Sequence, residues 1–335
     1  MRRWFQASFL LAAAVFGGSE LIARLFFAES LSGRFEYGFH PTAGFHERAD
    51  GVVELQRVAG RRFLAQTFSR ERPPGVFRLM VVGNSVPYGP GRVEDSFAGI
   101  AAEQLRAQGV KAEGLNLAIV GHGPLRNQVV VRQALNYQPS LLALQVDATL
   151  LLNDEVDWQR RAEFLGWHPK VWLMKSLIIR RLYELKTEKL YLELLPGEIR
   201  AQNTAGDLIA RLGVQTRGEP APVQAARQER FREIMRETVS LARARGIPVL
   251  LFTQAFLDRD APGPERLSDR GLDAFSQSLT GNGVYALSLK ETFAALPPLT
   301  VNTMFVDQNH LHRSGQEAIA TAMTRMILTN GWSTR

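Results

Sequence analysis

Residues 76–85 read VFRLMVVGNS, so a short apolar run is joined to a glycine, an asparagine and a serine. An apolar run of this length, bounded by turn residues, is typical of a strand that is buried on both faces. Gly83 permits a tight bend after the strand, and Ser85 in that bend would stand at the edge of a sheet with its hydroxyl exposed. Taken alone, the pattern also fits an ordinary turn serine.

The alternation of strand and helix that begins here continues to the end of the chain. Strands are predicted over residues 76–82, 115–120, 141–146, 247–252 and 284–289. Helices are predicted over residues 96–108, 125–137, 223–245, 265–279 and 314–328. This order predicts an α/β fold with a five-stranded parallel sheet covered by helices on both faces. Active groups should then follow the carboxyl ends of the strands, after Val82, Val120, Val146 and Leu289.

Length and composition narrow the possible functions. A chain of 335 residues is long enough for one α/β domain of ordinary size and an insertion. The absence of cysteine excludes disulfides, Cys-ligated metals and a thiol nucleophile. The net charge of +7 favours acidic partners, but the basic residues are scattered and no nucleic-acid-binding motif is present. We therefore expect no nucleic-acid partner.

The N-terminus has the pattern of an export or membrane segment. Two arginines, at positions 2 and 3, precede an apolar run from Trp4 to Ser19, which predicts a cytoplasmic N-terminus. Glu20 interrupts the run, and Arg24 follows one turn later, where the two charges can pair. An uncleaved anchor helix over residues 1–28 is the preferred interpretation; a cleaved signal peptide and a buried amphipathic helix are the alternatives. The first two place the remaining chain on the non-cytoplasmic side.

Two further segments interrupt the pattern. Residues 29–75 are rich in Gly, Pro, Phe and Arg, and we predict a juxtamembrane segment of short strands or turns. Residues 155–222 form an insertion in the predicted domain at 76–330, and residues 167–195 within it have a basic amphipathic pattern. A cap helix packed on the domain is the preferred interpretation, and a membrane-surface or partner-binding face is the alternative.

Three more loops carry residues suited to acyl chemistry. Gly121 follows the second predicted strand and offers a backbone N–H, and Asn153 follows the third and offers a side-chain amide. Asp307 lies three residues ahead of His310, just before the last helix. A carboxylate at this spacing can accept the Nδ1–H of the imidazole, which leaves the other nitrogen free to take a proton from a serine. Each pattern alone also fits a turn or a helix cap.

The order of these four loops resembles the four conserved blocks of the SGNH (GDSL-type) hydrolase superfamily, and its membrane-anchored or exported bacterial branch in particular. The resemblance implies a flavodoxin-like three-layer α/β/α fold, preceded here by the transmembrane helix, and a mechanism without metal or other cofactor. It makes Ser85 the nucleophile, His310 the base and Asp307 its orienter. It also makes the backbone amides of Ser85 and Gly121 and the side chain of Asn153 the oxyanion hole.

The sequence departs from the family pattern at three positions. Asn84 stands where aspartate is usual, which removes a charge beside the nucleophile but keeps the side-chain shape. Leu152 precedes Asn153 where a small residue is frequent, so the third block matches least well. His312 stands where a smaller polar residue is common and is an alternative base to His310.

The residues predict a serine esterase acting on O-acetyl or short acyl esters, with an envelope or exported polysaccharide as the preferred substrate. An O-acyltransferase with the same triad is the first alternative, because motifs do not reveal whether water or a sugar hydroxyl receives the acyl group. A catalytically weak glycan- or lipid-binding module and a phospholipase are the others. A metal enzyme built on His122, His310 and His312 is disfavoured, since no pair has the H-x-x-x-H spacing of helical ligands.

Overall fold

A computed structural model describes residues 2–32, 44–55, 57–58, 61–147, 221–261 and 266–334, together with Leu151, Asp154, Ser176, Ile178, Ile179 and Leu182. Most of the predicted insertion at 155–222, including its predicted helix, and the predicted oxyanion donor Asn153 lie outside these residues.

Helix α1 (Arg2–Ser32) is a single helix of 31 residues, about 46 Å long at 1.5 Å per residue. Glu20 does not interrupt it, because a salt bridge of 2.9 Å to Arg24 on the next turn pairs the charge. Its section Gln6–Phe26 is long and apolar enough to cross a membrane and is almost entirely exposed in this structure, as suits an anchor or a signal sequence. Glu20 also accepts hydrogen bonds from Ser176 Oγ at 2.7 Å and the Ile178 N–H at 3.2 Å. The insertion therefore contacts α1 at this point.

Short strands lie between Phe45 and Ser69, while residues 29–32 of the predicted juxtamembrane segment belong to α1. The strands are β1 (Phe45–Glu47), β2 (Val52–Leu55), β3 (Arg57–Val58), β4 (Arg61–Arg62) and β5 (Thr67–Ser69). An antiparallel sheet has the order β1-β2-β5, and β3 pairs with β4. Phe45 stacks on Tyr137 with ring centroids 5.3 Å apart, and Phe68 meets the same ring edge-on at 5.4 Å. Through these rings the small sheet packs on the core of the following domain.

The main sheet consists of β6 (Phe77–Val82), β7 (Ala112–Asn116), β8 (Leu141–Val146), β9 (Val249–Thr253) and β12 (Val284–Ser288). All neighbouring strands are parallel, and their order is β7-β6-β8-β9-β12. Counted by first appearance, this is 2-1-3-4-5, the flavodoxin-like order. Every residue of β6, β8 and β9 is buried, because helices cover both faces.

Helices form the two outer layers. In chain order they are α2 (Ser85–Tyr88), α3 (Phe97–Ala107), α4 (Pro124–Ala134), α5 (Ala221–Arg243), α6 (Leu272–Ser278), α7 (Leu289–Ala294), α8 (Pro298–Met304) and α9 (Arg313–Thr329). Buried side chains of α4 and α5 pack on one face of the sheet, and those of α3 and α9 on the other. A short antiparallel pair, β10 (Phe256–Leu257) and β11 (Leu267–Ser268), follows β9. The predicted three-layer α/β/α fold with a five-stranded parallel sheet is confirmed.

Two predicted elements were placed wrongly. The second strand covers Ala112–Asn116 instead of residues 115–120, and just after it Asn116 Oδ1 accepts the Ala118 N–H at 3.0 Å in a local asparagine turn. The helix predicted over residues 265–279 begins only at Leu272, since Leu267–Ser268 pairs as a strand and Gly271 adopts a left-handed conformation before the helix.

Candidate active site

The nucleophile turn lies between β6 and the single-turn helix α2. Asn84 caps this helix by accepting the Val86 N–H at 3.0 Å, and Ser85 is half-buried at its first position. Gly83 is needed for a close approach: a Cβ there would overlap Gln145 Oε1 and lie 2.6 Å from Pro87 Cγ. The turn is therefore held against the end of β8 by a contact that only glycine permits.

We expect Gly83→Ala to destabilise the protein by about 1–3 kcal/mol, because the added methyl group displaces Gln145 and the turn. The free energy of unfolding, from urea denaturation of the full chain in detergent, measures the effect. Gly17→Ala is the matched control, since a Cβ at Gly17 would meet nothing within 4 Å. Equal stability of the two variants would contradict the expectation.

The imidazole of His310 lies between Ser85 and Asp307. Its Nε2 is 2.8 Å from Ser85 Oγ, and its Nδ1 is 2.7 Å from Asp307 Oδ2. Because an ionised carboxylate only accepts, the neutral imidazole carries its proton on Nδ1, and Nε2 is then the nitrogen that accepts the Ser85 hydroxyl. The other oxygen of Asp307 accepts the backbone N–H groups of Asn309 at 2.9 Å and His310 at 2.8 Å, which holds the loop in shape.

The carboxyl of Asp307 is strongly biased toward its ionised form. Partial burial alone would raise its pKa, but the hydrogen bond and charge of His310 and the two backbone donors lower the pKa well below its usual range. The group therefore stays a carboxylate at any pH at which an esterase is assayed. It can orient the imidazole and stabilise its protonated form throughout that range.

His312 lies elsewhere in the same loop. It is exposed and occupies the N-cap position of α9, where its backbone carbonyl accepts from Gly315 and Gln316. Of the two histidines that the sequence offered as base, His310 is the one within hydrogen-bond distance of Ser85.

The turn that carries Gly121 runs beside the nucleophile turn. The Ile119 N–H donates to the Gly83 carbonyl at 3.1 Å, and Gly121 itself has a positive φ of 76°. The role of its amide in the oxyanion hole stays a prediction, as does that of Asn153. The part of the chain that the structure describes contains no group of three or more His, Asp or Glu suited to a metal ion.

A buried ion pair holds the Gly121 turn in place. Arg126 Nε lies 2.5 Å from Asp154 Oδ1, and both side chains are fully buried. Asp154 also accepts the N–H groups of Gly123 at 3.0 Å and Leu125 at 2.7 Å at the start of α4, while Arg126 Nη2 donates to the Gly121 carbonyl at 2.7 Å. Asp154 therefore links the chain just after Asn153 to this turn.

We expect Asp154→Asn to lower the free energy of unfolding by about 3–5 kcal/mol, because it removes a buried negative charge that lies directly against the buried Arg126 guanidinium. Urea denaturation of the full chain measures the loss. The matched control is Asp50→Asn, which removes one partner of a half-exposed pair with Arg48 and should cost below about 1 kcal/mol. If Asp154→Asn lost no more unfolding free energy than this control, the buried pair would not be needed for stability.

A chain of buried amides connects the nucleophile turn to the histidine loop. The Asn84 N–H donates to Gln145 Oε1 at 2.8 Å, Gln145 Nε2 to Gln254 Oε1 at 2.8 Å, and Gln254 Nε2 to the Asn309 carbonyl at 3.3 Å. A second contact joins Asn84 Nδ2 to Asp147 Oδ2 at 2.6 Å. These partners were not among the residues predicted from the sequence, although Asp147 directly follows Val146, one of the strand ends where active groups were expected.

The strand order, the serine turn after the first strand and the histidine loop before the last helix all match the arrangement that the resemblance predicted. The chain has a flavodoxin-like α/β/α fold with a five-stranded parallel sheet, which is the fold that the resemblance implied. A scan against protein-family models and a search of curated proteins both find no match.

Solved structures similar to this chain include two acetyl xylan esterases and TesA. The acetyl xylan esterase AlAXEase is 16% identical with a TM-score of 0.43, and the alignment covers 75% of this chain and 100% of that one. TesA is 13% identical with a TM-score of 0.41, over 74% of this chain and 97% of that one. A catalytic mutant of Axe2, an acetylxylan esterase from Geobacillus stearothermophilus, is 12% identical with a TM-score of 0.42, over 75% and 94% respectively.

Proposed function

We propose that this chain is a serine ester hydrolase in which Ser85 is the nucleophile, His310 the general base and Asp307 its orienter. The observation that carries the proposal is the unbroken line of contacts from hydroxyl to imidazole to carboxylate, at 2.8 and 2.7 Å. An accepting nitrogen in contact with a half-buried serine, and a carboxylate held ionised behind it, are what acyl transfer requires.

The reaction begins when Ser85 Oγ attacks the carbonyl carbon of the ester and its proton passes to His310 Nε2. The tetrahedral intermediate then breaks its bond to the alcohol, which leaves with the proton from His310. Water attacks the acyl-serine in the second half of the reaction, again giving its proton to His310, and the carboxylic acid is released as Ser85 regains its proton. Asp307 stabilises the imidazolium in both halves without taking a proton.

The proposed oxyanion hole consists of the Ser85 and Gly121 backbone amides and the Asn153 side chain. Two structural features support the first two donors: Ser85 stands at the start of α2, where N–H groups lack helical partners, and the Gly121 turn is tied to the nucleophile turn through Gly83. A well-placed donor of this kind is worth roughly 3–4 kcal/mol of transition-state stabilisation.

We assign as substrates O-acetyl or other short acyl esters carried by an envelope or exported polysaccharide. Support comes from the apolar helix Gln6–Phe26 behind two arginines, which suits a single-pass anchor with the catalytic domain on the non-cytoplasmic side. The net charge of +7 suits an anionic glycan.

The test is hydrolysis of p-nitrophenyl esters by the full chain in detergent micelles, together with labelling by a fluorophosphonate probe. We expect labelling at Ser85 and faster turnover of acetyl than of long acyl esters. Preference for long chains would favour a phospholipase, and acyl transfer to an added oligosaccharide in place of water would identify an acyltransferase. Absence of both labelling and turnover would reject the proposal in favour of a binding module.

A further inference from the structure

Asn84 uses both ends of its side-chain amide in the nucleophile turn. Its Oδ1 accepts the Val86 N–H at 3.0 Å, and its Nδ2 donates to Asp147 Oδ2 at 2.6 Å. An amide offers an acceptor at one end and a donor at the other, so these two partners fix its orientation. A flipped amide would place its NH2 group against the Val86 N–H and its oxygen against the carboxylate.

Asp147 is the first residue after β8, the strand adjacent to β6 in the sheet. It is only 7% exposed, so its carboxylate faces Asn84 in a region largely shielded from water. A hydrogen bond to a shielded carboxylate is stronger than one between neutral groups, because the acceptor carries a full charge. The backbone of Asn84 is held from the same strand, since its N–H donates to Gln145 Oε1 at 2.8 Å.

We infer that Asp147 is a positioning residue for the nucleophile: through the Asn84 side chain it aims the turn on which Ser85 stands at His310. The inference rests on the proposed function, because it concerns the same serine. Ser85 follows Asn84 directly, and neither the Asn84 backbone nor its side chain can shift without breaking a contact to the end of β8. A carboxylate at position 147 needs a donor at position 84, and an asparagine side chain supplies one. Asn84 is also the position where the sequence has asparagine in place of the aspartate of the family pattern.

In this contact Asn84 donates and Asp147 accepts. The two residues can therefore be exchanged between the two positions as a test. Asn84→Asp places two carboxylates face to face where neither can donate a hydrogen bond. Asp147→Asn is milder, since the new amide can still present an oxygen to Asn84, although without the charge. In the exchanged variant, which combines Asn84→Asp with Asp147→Asn, the new carboxylate at position 84 accepts the Val86 N–H with one oxygen and the new amide at position 147 with the other.

The experiment compares the rate of fluorophosphonate labelling and kcat for p-nitrophenyl acetate in the full chain and these three variants. We expect Asn84→Asp to lower both rates on the order of 10- to 100-fold with little change in KM, because misplacing the nucleophile by about 1 Å has effects of this size. We expect about a few-fold loss in Asp147→Asn, and recovery to within about threefold of the native rates in the exchanged variant.

Asn136→Asp is the matched control, since Asn136 is exposed and the change adds the same charge far from the turn. Thermal unfolding of each variant shows whether it folds; if Asn84→Asp does not fold, the exchanged variant decides by comparison with the native chain. Labelling of Asn84→Asp at the native rate, or a folded exchanged variant that stays slow, overturns this inference and leaves the proposed function standing. A native chain that neither labels nor turns over substrate overturns the proposed function and the inference with it.

Discussion

Replacing Ser85 by alanine is expected to lower kcat for ester hydrolysis on the order of 10³- to 10⁶-fold and to abolish fluorophosphonate labelling. The reason is that no other described hydroxyl is shown in contact with His310 Nε2, so removal of Oγ leaves the base without a nucleophile to activate. The remaining rate would come from the oxyanion donors and from substrate binding alone. Steady-state turnover of p-nitrophenyl acetate by the full chain measures the loss.

Ser278→Ala is the matched control for this change. Ser278 is exposed in α6 and donates only to a carbonyl of its own helix, Phe275 O, so its loss should leave turnover unaltered. Apart from its backbone hydrogen bond in α2, Ser85 makes no described contact on which the fold depends. The alanine variant should therefore have the same unfolding temperature as the native chain. Undiminished hydrolysis by Ser85→Ala would reject the acyl-serine mechanism.

The second large effect is a difference in kcat between variants of the two neighbouring histidines. We expect His310→Ala to reduce kcat by a factor comparable to that of Ser85→Ala, since the serine would then keep its proton. We expect His312→Ala to leave kcat within about twofold, because its exposed position at the start of α9 is outside the line of contacts. Both variants are assayed for turnover and for labelling of Ser85.

The double variant Ser85→Ala/His310→Ala tests whether the two residues act as one unit. Groups that act as one unit are strongly non-additive, so the double change should be no slower than the slower single change. If the loss of kcat in the double variant equalled the product of the two single losses, serine and histidine would act independently. A large loss in His312→Ala with little loss in His310→Ala would assign the base to the other imidazole.

The order of the elements could be predicted from the sequence because a doubly covered parallel sheet leaves a strong local pattern. Its strands are continuous apolar runs, as residues 141–146 show, and each helix has its own period and end signals. The errors arose at the ends of elements, where a single side chain decides. The Asn116 side chain accepts the Ala118 N–H, and this local contact competes with the β propensity of the apolar residues that follow.

The candidate site residues could be proposed from the sequence for a related reason. Ser85 follows a strand end, and Asp307 and His310 are close enough in sequence for one loop to hold them together, so local spacing carries much of the information. The contact between His310 and Ser85 spans 225 positions and follows from the sheet topology, which brings the first strand end and the last loop to the same edge.

The sequence by itself determined the class of fold, the strand ends at which polar groups gather and the identities of Ser85, His310 and Asp307 as candidates. Only the tertiary structure decided that His310 and not His312 meets the serine, and that Asn84 faces Asp147. It also revealed the amides of Gln145 and Gln254 between the nucleophile turn and the histidine loop. The amide and carboxylate pairings join residues 55 to 109 positions apart, and Ser85 and His310 are 225 positions apart. Such contacts arise from packing across strands, which leaves no periodic trace along the chain.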